Sequence, residues 1–364
     1  MIEIIKDKEV WDTLVKKCDF ADFYHTYDYH HTAKAKDEEP VLIHYKENDK
    51  TIVLPLLFRN IQYSLYKDAT SVYGYPGPIT KNITSDFNFR VFQKEIHQLF
   101  REQNIISVFS RLNSFIPYQE SCLLGLGQTE TLGRVVYIDL TKTLDEQWAA
   151  YSKRLRTYIN KSRTIYTIKK ANETADLEAF IALYHENMRR VNAKAAYFFD
   201  KKYFLDLINN NNCETELLLA INKETAEVAG GAIFTKKNTF VQYHLSGTGE
   251  RYLDLNPVKL LIDEMRIRGT RENFNYFNLG GGVGSLEDSL FYFKSGFSKD
   301  SILFKVWKYM VNPIIYEDLV QQRKDIQYSD ETLQYFPRYR NNEQFSFSIN
   351  EKQPIYFKQL HTKE

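Results

Sequence analysis

Leu279-Gly-Gly-Gly-Val-Gly-Ser-Leu-Glu-Asp-Ser-Leu-Phe-Tyr-Phe-Lys-Ser-Gly-Phe297 is the stretch from which the rest of the chain is read. The run leading into it, Phe274 to Leu279, has the alternation of a strand, and it empties into four glycines within five positions. Ser285, with Asp288 three residues on, predicts the start of a short helix. On that helix Leu286, Leu290, Phe293 and Phe297 recur at threes and fours and share one buried face, and Lys294 points off it. A strand edge with little side-chain cover, a helix N-terminus with N–H groups to offer and a lysine a helix length away can hold an anion or a polarised carbonyl. A tight turn beside a solvated lysine is the alternative reading.

The 364 residues exceed one ordinary core and suit two domains, with 43% hydrophobic residues to fill them. Twenty-six tyrosines and 25 phenylalanines leave room for large cores and a polar-aromatic groove as well. The net charge is +1, so no overall field draws the chain to nucleic acid or lipid, although a local patch can. Cys18, Cys122 and Cys213 are scattered and odd in number, which fits a reducing compartment and gives neither a disulfide framework nor a metal knuckle. Met1 to Trp11 lacks a signal-peptide core, and no apolar run approaches the ~20 residues that span a bilayer. The expectation is a cytoplasmic protein without an integral membrane segment.

Working outward from the glycine run, a boundary is expected near 130–135, before the strand Val135–Leu140. The following helix carries Lys153, Arg154, Arg156, Lys161 and Arg163 with no acid between Ala149 and Lys170. Lys153, Arg156 and Arg163 lie on a stripe apart from the apolar one, and they are expected to bind a polyanion. The alternative is a solvated face that lacks acids. Val41–Tyr45 with Thr51–Arg59, and Glu216–Asn222 with Val228–Thr235, are predicted hairpins. Each is followed by further strand, a helix and a last strand, so one α+β layout is used twice. Between them, Ser71-Val-Tyr-Gly-Tyr-Pro-Gly-Pro78 forms a shaped loop, and Cys122–Leu126 is expected to be a strand. His25, His30 and His31 are read as core or groove lining, since no carboxylate ligand pattern accompanies them; no metal site is expected. A strand Ile302–Val311 closes the second domain. Ile314–Gln327 is then a lone helix, and Ser329–Glu364 is polar with aromatics.

No nucleophile elbow, Gly-x-x-x-x-Gly-Lys-Ser/Thr loop, His-Glu-x-x-His or paired Cys–His spacing occurs. What remains suits an already activated acyl group and an amine nucleophile, a reaction that needs alignment and oxyanion stabilisation more than a triad. Asp288, Glu287 and His244 are the local candidates for a base, and Asp288 is equally explained as a helix cap.

Four segments together resemble the FemAB-like transferases of the GNAT superfamily, which includes the peptidoglycan bridge-forming aminoacyltransferases. They are Asp68–Pro78, Arg154–Arg163, Asn187-Met-Arg-Arg190 and Leu279–Phe297, and in order they span most of residues 5–311. The resemblance implies an α+β fold of two tandem GNAT-like domains, each a mostly antiparallel mixed sheet flanked by helices, with a C-terminal helical or irregular extension. The divisions are expected at 1–134, 135–311 and 312–364. It implies catalytic roles for Lys294 and Phe293, with Asp288 as the nearby acid. It also implies substrate contacts from Tyr73 and Tyr75 beside an acceptor groove, from Arg190 or Arg189, and from the backbone of Gly281 and Gly282.

The activity implied is N-acyl transfer onto an amine of a cell-envelope precursor or an amino sugar. No permanently bound cofactor is implied. The donor is an activated acyl group, with aminoacyl-tRNA expected and acyl-CoA as the alternative. One departure weighs against acetyl-CoA: where its users carry a Gln/Arg-x-x-Gly-x-Gly/Ala loop, this chain reads Gly247-Thr-Gly-Glu-Arg-Tyr-Leu-Asp-Leu-Asn-Pro257. An acetyl-CoA-dependent GNAT enzyme and a non-catalytic polyanion- or glycan-binding module are the competing readings.

Overall fold

The structure, a computed structural model, describes residues 1–323 and 335–341. Its contacts divide the chain into a first unit, Met1–Leu132 with the described residues from Leu303 onward, and a second, Gly133–Ile302.

In chain order the first unit contains β1 (Ile2–Ile5), α1 (Lys8–Lys17), α2 (Tyr27–Ala33), β2 (Glu38–Glu47), β3 (Lys50–Asn60), β4 (Lys67–Thr70), β5 (Ile79–Lys81), α3 (Arg90–Glu102), β6 (Ile105–Arg111) and α4 (Gln119–Leu123). The sheet order is β1-β2-β3-β4-β6, with β5 on β3, and only β4 and β6 run parallel. Period-two alternation sends Val41, Ile43 and Tyr45 of β2 and Ile52, Leu54, Leu56 and Phe58 of β3 to one face. There they meet Phe92, Ile96 and Phe100, which recur every four residues along α3. The stretch Cys122–Leu126 is not a strand. Its first residues end α4, because an apolar run this short fits either period and the packing of Cys122 and Leu123 under α3 decides.

The second unit contains β7 (Gln128–Asp139), whose first residues belong to the first unit, then α5 (Leu144–Ala150), α6 (Lys153–Ile165), β8 (Tyr166–Lys170), α7 (Thr174–Arg190), α8 (Lys201–Ile208), β9 (Glu214–Asn222), β10 (Val228–Lys237), β11 (Phe240–Thr248), α9 (Pro257–Arg271), β12 (Tyr276–Gly280) and α10 (Ser289–Ser295). Its sheet runs β7-β12-β11-β10-β9-β8, and only β11 and β12 are parallel. Leu155 and Ile159 of α6 and Leu261 and Met265 of α9 cover one face of it. Phe180 and Tyr184 of α7 pack with Phe204 of α8. Each unit thus has one parallel pair joined by a crossover helix, α3 or α9, within an otherwise antiparallel sheet.

β13 (Ser301–Met310) corrects the domain division expected at 311. Its residues Val306–Met310 pair with Ser107–Arg111 of β6, so this strand completes the first unit's sheet. Local pattern gives a strand its period but not its partner. α11 (Pro313–Gln322) also packs in the first unit, where Tyr316, Leu319 and Val320 join Ile61, Ile106 and Tyr339. Residues 324–327 of the expected helix lie outside the described residues, as does most of Ser329–Glu364.

The described part of that extension is held by one carboxylate. Asp68 of β4 is fully buried, with Arg59 Nε at 2.8 Å, Tyr339 Oη at 3.1 Å, and Arg340 Nε as a further donor. Burial alone pushes the Asp68 carboxyl up, but Arg59 and Arg340 outweigh it and hold it below its ordinary 3.8. Asp68→Ala removes the carboxylate that two buried guanidinium groups share and is expected to cost about 3–5 kcal/mol of unfolding free energy in urea titrations. A depressed carboxyl stabilises above its unfolded pKa and loses that contribution as pH falls through the folded value. The gap between parent and variant is therefore expected to be full at neutral pH and to close in strong acid.

Candidate active site

β11 and β12 begin as neighbours and then part. Their ladder covers Phe240–Gln242 against Tyr276–Asn278 and stops there, while β11 continues to Thr248 and β12 to Gly280. Both strands are bulged at that point. On β11, Tyr243 faces Phe234 and Leu245 faces Ile233, so His244 is the extra residue. On β12, Asn278 faces Tyr137 and Gly280 faces Val136, so Leu279 is the extra one. A bulge bends its strand and adds twist, and two of them side by side open the sheet between β11 and β12.

Each parted strand has a cation at its end. α7 crosses β11 so closely that a Cβ on Gly247 would lie 2.8 Å from the Tyr184 nitrogen, and this sets Arg190 Nη1 3.2 Å from the Thr248 carbonyl. Arg190 is half-buried, whereas Arg189 points to solvent. Beyond β12, Lys294 Nζ donates to the Gly281 carbonyl at 2.6 Å. Its side chain is only 8% exposed, and burial pushes the ammonium down to about 8 against the pull of the Asp288 carboxylate.

The helix bearing Lys294 starts later than Ser285. Val283–Ser285 is a single 3₁₀ turn, and α10 begins at Ser289 because Asp288 is its N-cap, accepting from Phe291 N at 2.9 Å. The other Asp288 oxygen accepts from Val283 N at 3.2 Å, so this acid closes the glycine loop onto the helix. The buried face changes accordingly: Phe291, Lys294 and Phe297 turn inward, Phe293 packs at the margin, and Leu286 is 47% exposed. Lys294 therefore points into the protein, not off the apolar face. Gly282 has no room for a side chain, since a Cβ would lie 2.0 Å from the Leu286 carbonyl, and Gly281 would meet the Arg134 carbonyl at 2.8 Å. His244 Nε2 lies 3.0 Å from Tyr203 Oη, and burial holds the imidazole neutral, down to about 3.

On α6, Lys153 is exposed and Arg156 half-buried, but Arg163 is taken. Its Nη2 lies 2.6 Å from the buried carboxylate of Asp263, and the guanidinium sits over Trp148. Sequence spacing places Arg163 on the right stripe but says nothing of a partner 100 residues away. Two candidates outside the expected set emerge beside it. Arg154 and Lys259 flank the Tyr158 ring. The signal for Lys259 is a cation two residues after Pro257, in the first turn of a helix, where acids are the usual choice.

Tyr73 and Tyr75 belong to the first unit, in a loop fixed from below by buried polar groups. The Pro76 carbonyl lies 2.8 Å from His25 Nε2 and 3.0 Å from Gln119 Nε2, and the Tyr73 carbonyl accepts from Tyr29 Oη at 3.0 Å. Gly74 has φ +119°, and a Cβ there would collide with the Tyr24 ring at 2.0 Å. Tyr73 is 40% exposed, with Arg111 5.6 Å from the centre of its ring. His30 and His31 bond backbone carbonyls within α2 or just before it. Among the described residues, Glu214, Glu216 and Glu272 alone cluster closely enough to share a metal ion. The Lys236 ammonium stands between them, 3.1, 2.5 and 2.6 Å away, and supplies the positive charge itself.

A mostly antiparallel sheet with one parallel pair across a crossover helix, found in both units, makes this a tandem GNAT-like α+β protein. No family model matches the chain, and no curated protein matches it by sequence. Solved structures do match. FemX superposes with a TM-score of 0.68 at 13% identity, covering 86% of this chain and 99% of FemX. L-PGS from Bacillus licheniformis gives 0.53 at 12% identity over 84% of this chain and 92% of its own. The C-terminal domain (DUF2156) of a putative lysylphosphatidylglycerol synthetase from Agrobacterium fabrum gives 0.53 at 11% identity over 85% and 93%. At such identities the likeness speaks for the fold, which is the FemAB-like GNAT fold.

Lys294 yields a stability test independent of any substrate. Its folded pKa is lowered, so between about 8 and its ordinary 10.5 the unfolded chain binds the extra proton, and stability rises with pH across that window. Below it the cost of burying the charge is present in full. Lys294→Met is therefore expected to resist urea better than the parent at pH 7, with the difference narrowing by pH 10.

Proposed function

We propose that this protein is an N-acyltransferase that moves an activated acyl group, an aminoacyl ester above all, onto an amine of a cell-envelope precursor or amino sugar. The observation that carries this is Lys294: a buried ammonium, held by a backbone carbonyl at the mouth of an opened parallel strand pair. The free amine attacks the acyl carbonyl, and the carbonyl oxygen becomes an oxyanion. Lys294 has three N–H donors and spends one on Gly281, leaving others for that oxygen in a site where water no longer screens the charge. Collapse of the intermediate forms the amide and breaks the ester bond, and the proton shed by the amine goes to the departing hydroxyl. Asp288 serves as the cap that shapes the loop. His244, neutral and bonded to Tyr203, borders the opening as a polar wall.

Aminoacyl transfer draws further support from the family resemblance, and one neighbour's name contains lysylphosphatidylglycerol synthetase. Tyr73 and Tyr75 are assigned to the acceptor, and Arg190 with the Gly281–Gly282 backbone to the substrates at the opening. The cytoplasm, where charged tRNA and envelope precursors are made, is the assigned compartment. The acetyl-CoA reading is weaker, because a 3₁₀ turn, Glu250–Leu255, with an acid at its start, fills the segment where a diphosphate loop is needed.

Transfer is measured with labelled aminoacyl-tRNA or acetyl-CoA as donor and amino-sugar or envelope-precursor amines as acceptors. Lys294→Met is expected to lower kcat by about 100-fold or more while remaining folded. Parent-level transfer in that variant overturns the assignment.

A further inference from the structure

The loop that carries Tyr73 and Tyr75 cannot hold its own shape. β4 ends at Thr70 and β5 starts at Ile79. Between them Pro76 and Pro78 have no N–H to offer, and Gly74 and Gly77 stand at φ +119° and +70° with no side chain to steady them. The buried carbonyls of this stretch therefore need donors from elsewhere. Gln119, the first residue of α4 and only 4% exposed, supplies them. Its Nε2 donates to the Pro76 carbonyl at 3.0 Å and to the Pro78 carbonyl at 2.9 Å, while its Oε1 accepts from Asn113 N at 2.8 Å. One side-chain amide thus stands in for a neighbouring strand.

The surroundings are fitted to that amide. Tyr118 takes φ 63°, a left-handed conformation uncommon for a bulky residue, at the position that turns the chain into Gln119. A Cβ on Gly77 would lie 2.5 Å from Gln119 Oε1, so the loop backbone rests directly on the side chain. Asn113 Nδ2 donates in turn to the buried Asp22 carboxylate at 3.1 Å, and Asp22 N donates to His25 Nδ1 at 3.0 Å. With Nδ1 accepting, His25 carries its proton on Nε2 and gives the Pro76 carbonyl a second bond at 2.8 Å. Joining two strands that both pair with β3 needs none of this. What the network fixes is the placing of two rings. Tyr75 meets Tyr24 and Phe304 edge-on at 5.6 and 5.3 Å, and Tyr73 is kept partly exposed. A satisfied polar network specifies one conformation, at the cost of burying its members.

We propose that Gln119 is a positioning residue for the acceptor: its carboxamide holds the Tyr73–Pro78 loop in the one shape in which Tyr73 and Tyr75 take the acceptor. The acceptor role rests on the transferase reading, whereas the hold on the loop is measured without substrate.

Two variants test it. Gln119→Glu keeps the volume and the oxygen that Asn113 N needs, but sets an acceptor oxygen against the Pro76 and Pro78 carbonyls. Gln119→Met removes the polar atoms altogether. Hydrogen exchange on the full chain is expected to quicken about 10-fold or more at residues 71–77 in both, with the strands of the first unit exchanging as in the parent. Transfer is then measured from labelled aminoacyl-tRNA or acetyl-CoA onto glucosamine or a lysyl peptide. The KM for the amine is expected to rise about 10-fold or more, while kcat at saturating amine and the KM for the donor stay within about twofold. A merely structural role loses folded enzyme instead, which lowers the measured kcat and leaves the KM alone. That outcome overturns the proposal, as does unchanged exchange at residues 71–77. An active parent with an unchanged KM in both variants removes the acceptor role and leaves transfer standing. A parent with no transfer onto either amine removes the transferase reading, and this role with it.

Discussion

The opening between β11 and β12 depends on a constraint of backbone pairing. A parallel ladder persists only while both strands keep the same pitch, and here each takes in one extra residue, His244 or Leu279, at the same level. Everything at the candidate site follows from that. The strand ends diverge, Gly281 emerges with its carbonyl turned to Lys294, and α7 reaches in at Gly247 to leave Arg190 at the other end. Without the two bulges the sheet would zip closed, and Lys294 would be a buried cation facing a covered edge.

Charge neutralisation in the second unit is selective in the same way. Buried acids such as Asp263 and Glu216 are matched by arginines and lysines, most of them contributed from other elements. Lys294 is treated differently. It receives a single carbonyl and a depressed pKa, so the fold tolerates an electrostatic cost at one position in order to keep donors available there. The protein's three carboxylates at Lys236 show the opposite solution, in which an ammonium takes the place a metal would fill.

The periodic parts of this architecture are legible in the chain itself. Hairpins β2–β3 and β9–β10 follow from their apolar runs, and the layout used twice follows from the order of hairpin, strand, helix and strand. Lys294 stands out because it follows a glycine run at a strand end. What local pattern lacks is any information about distant partners. Thus pattern alone puts β13 in the wrong half, leaves Arg163 available although Asp263 holds it, and gives Cys122–Leu126 the wrong period. The start of α10 slips for a subtler reason: Ser285 and Asp288 are both good caps, and only the closure of the loop onto Val283 chooses Asp288. Lys259 is marked in the sequence only by its place at a helix start, and the Tyr158 ring reaches it from another helix.

The pairing of β13 with β6, together with the clasp of Tyr339 and Arg340 on Asp68, has a consequence for how the molecule is made. On the ribosome the first half of the chain emerges long before the strand and the arginine that finish it. Until then β6 presents an open edge, and Asp68 has only Arg59 for company. The amino-terminal half therefore waits, incomplete, through synthesis of the entire second unit, and its last hydrogen bonds form only once the residues after Ile302 have followed.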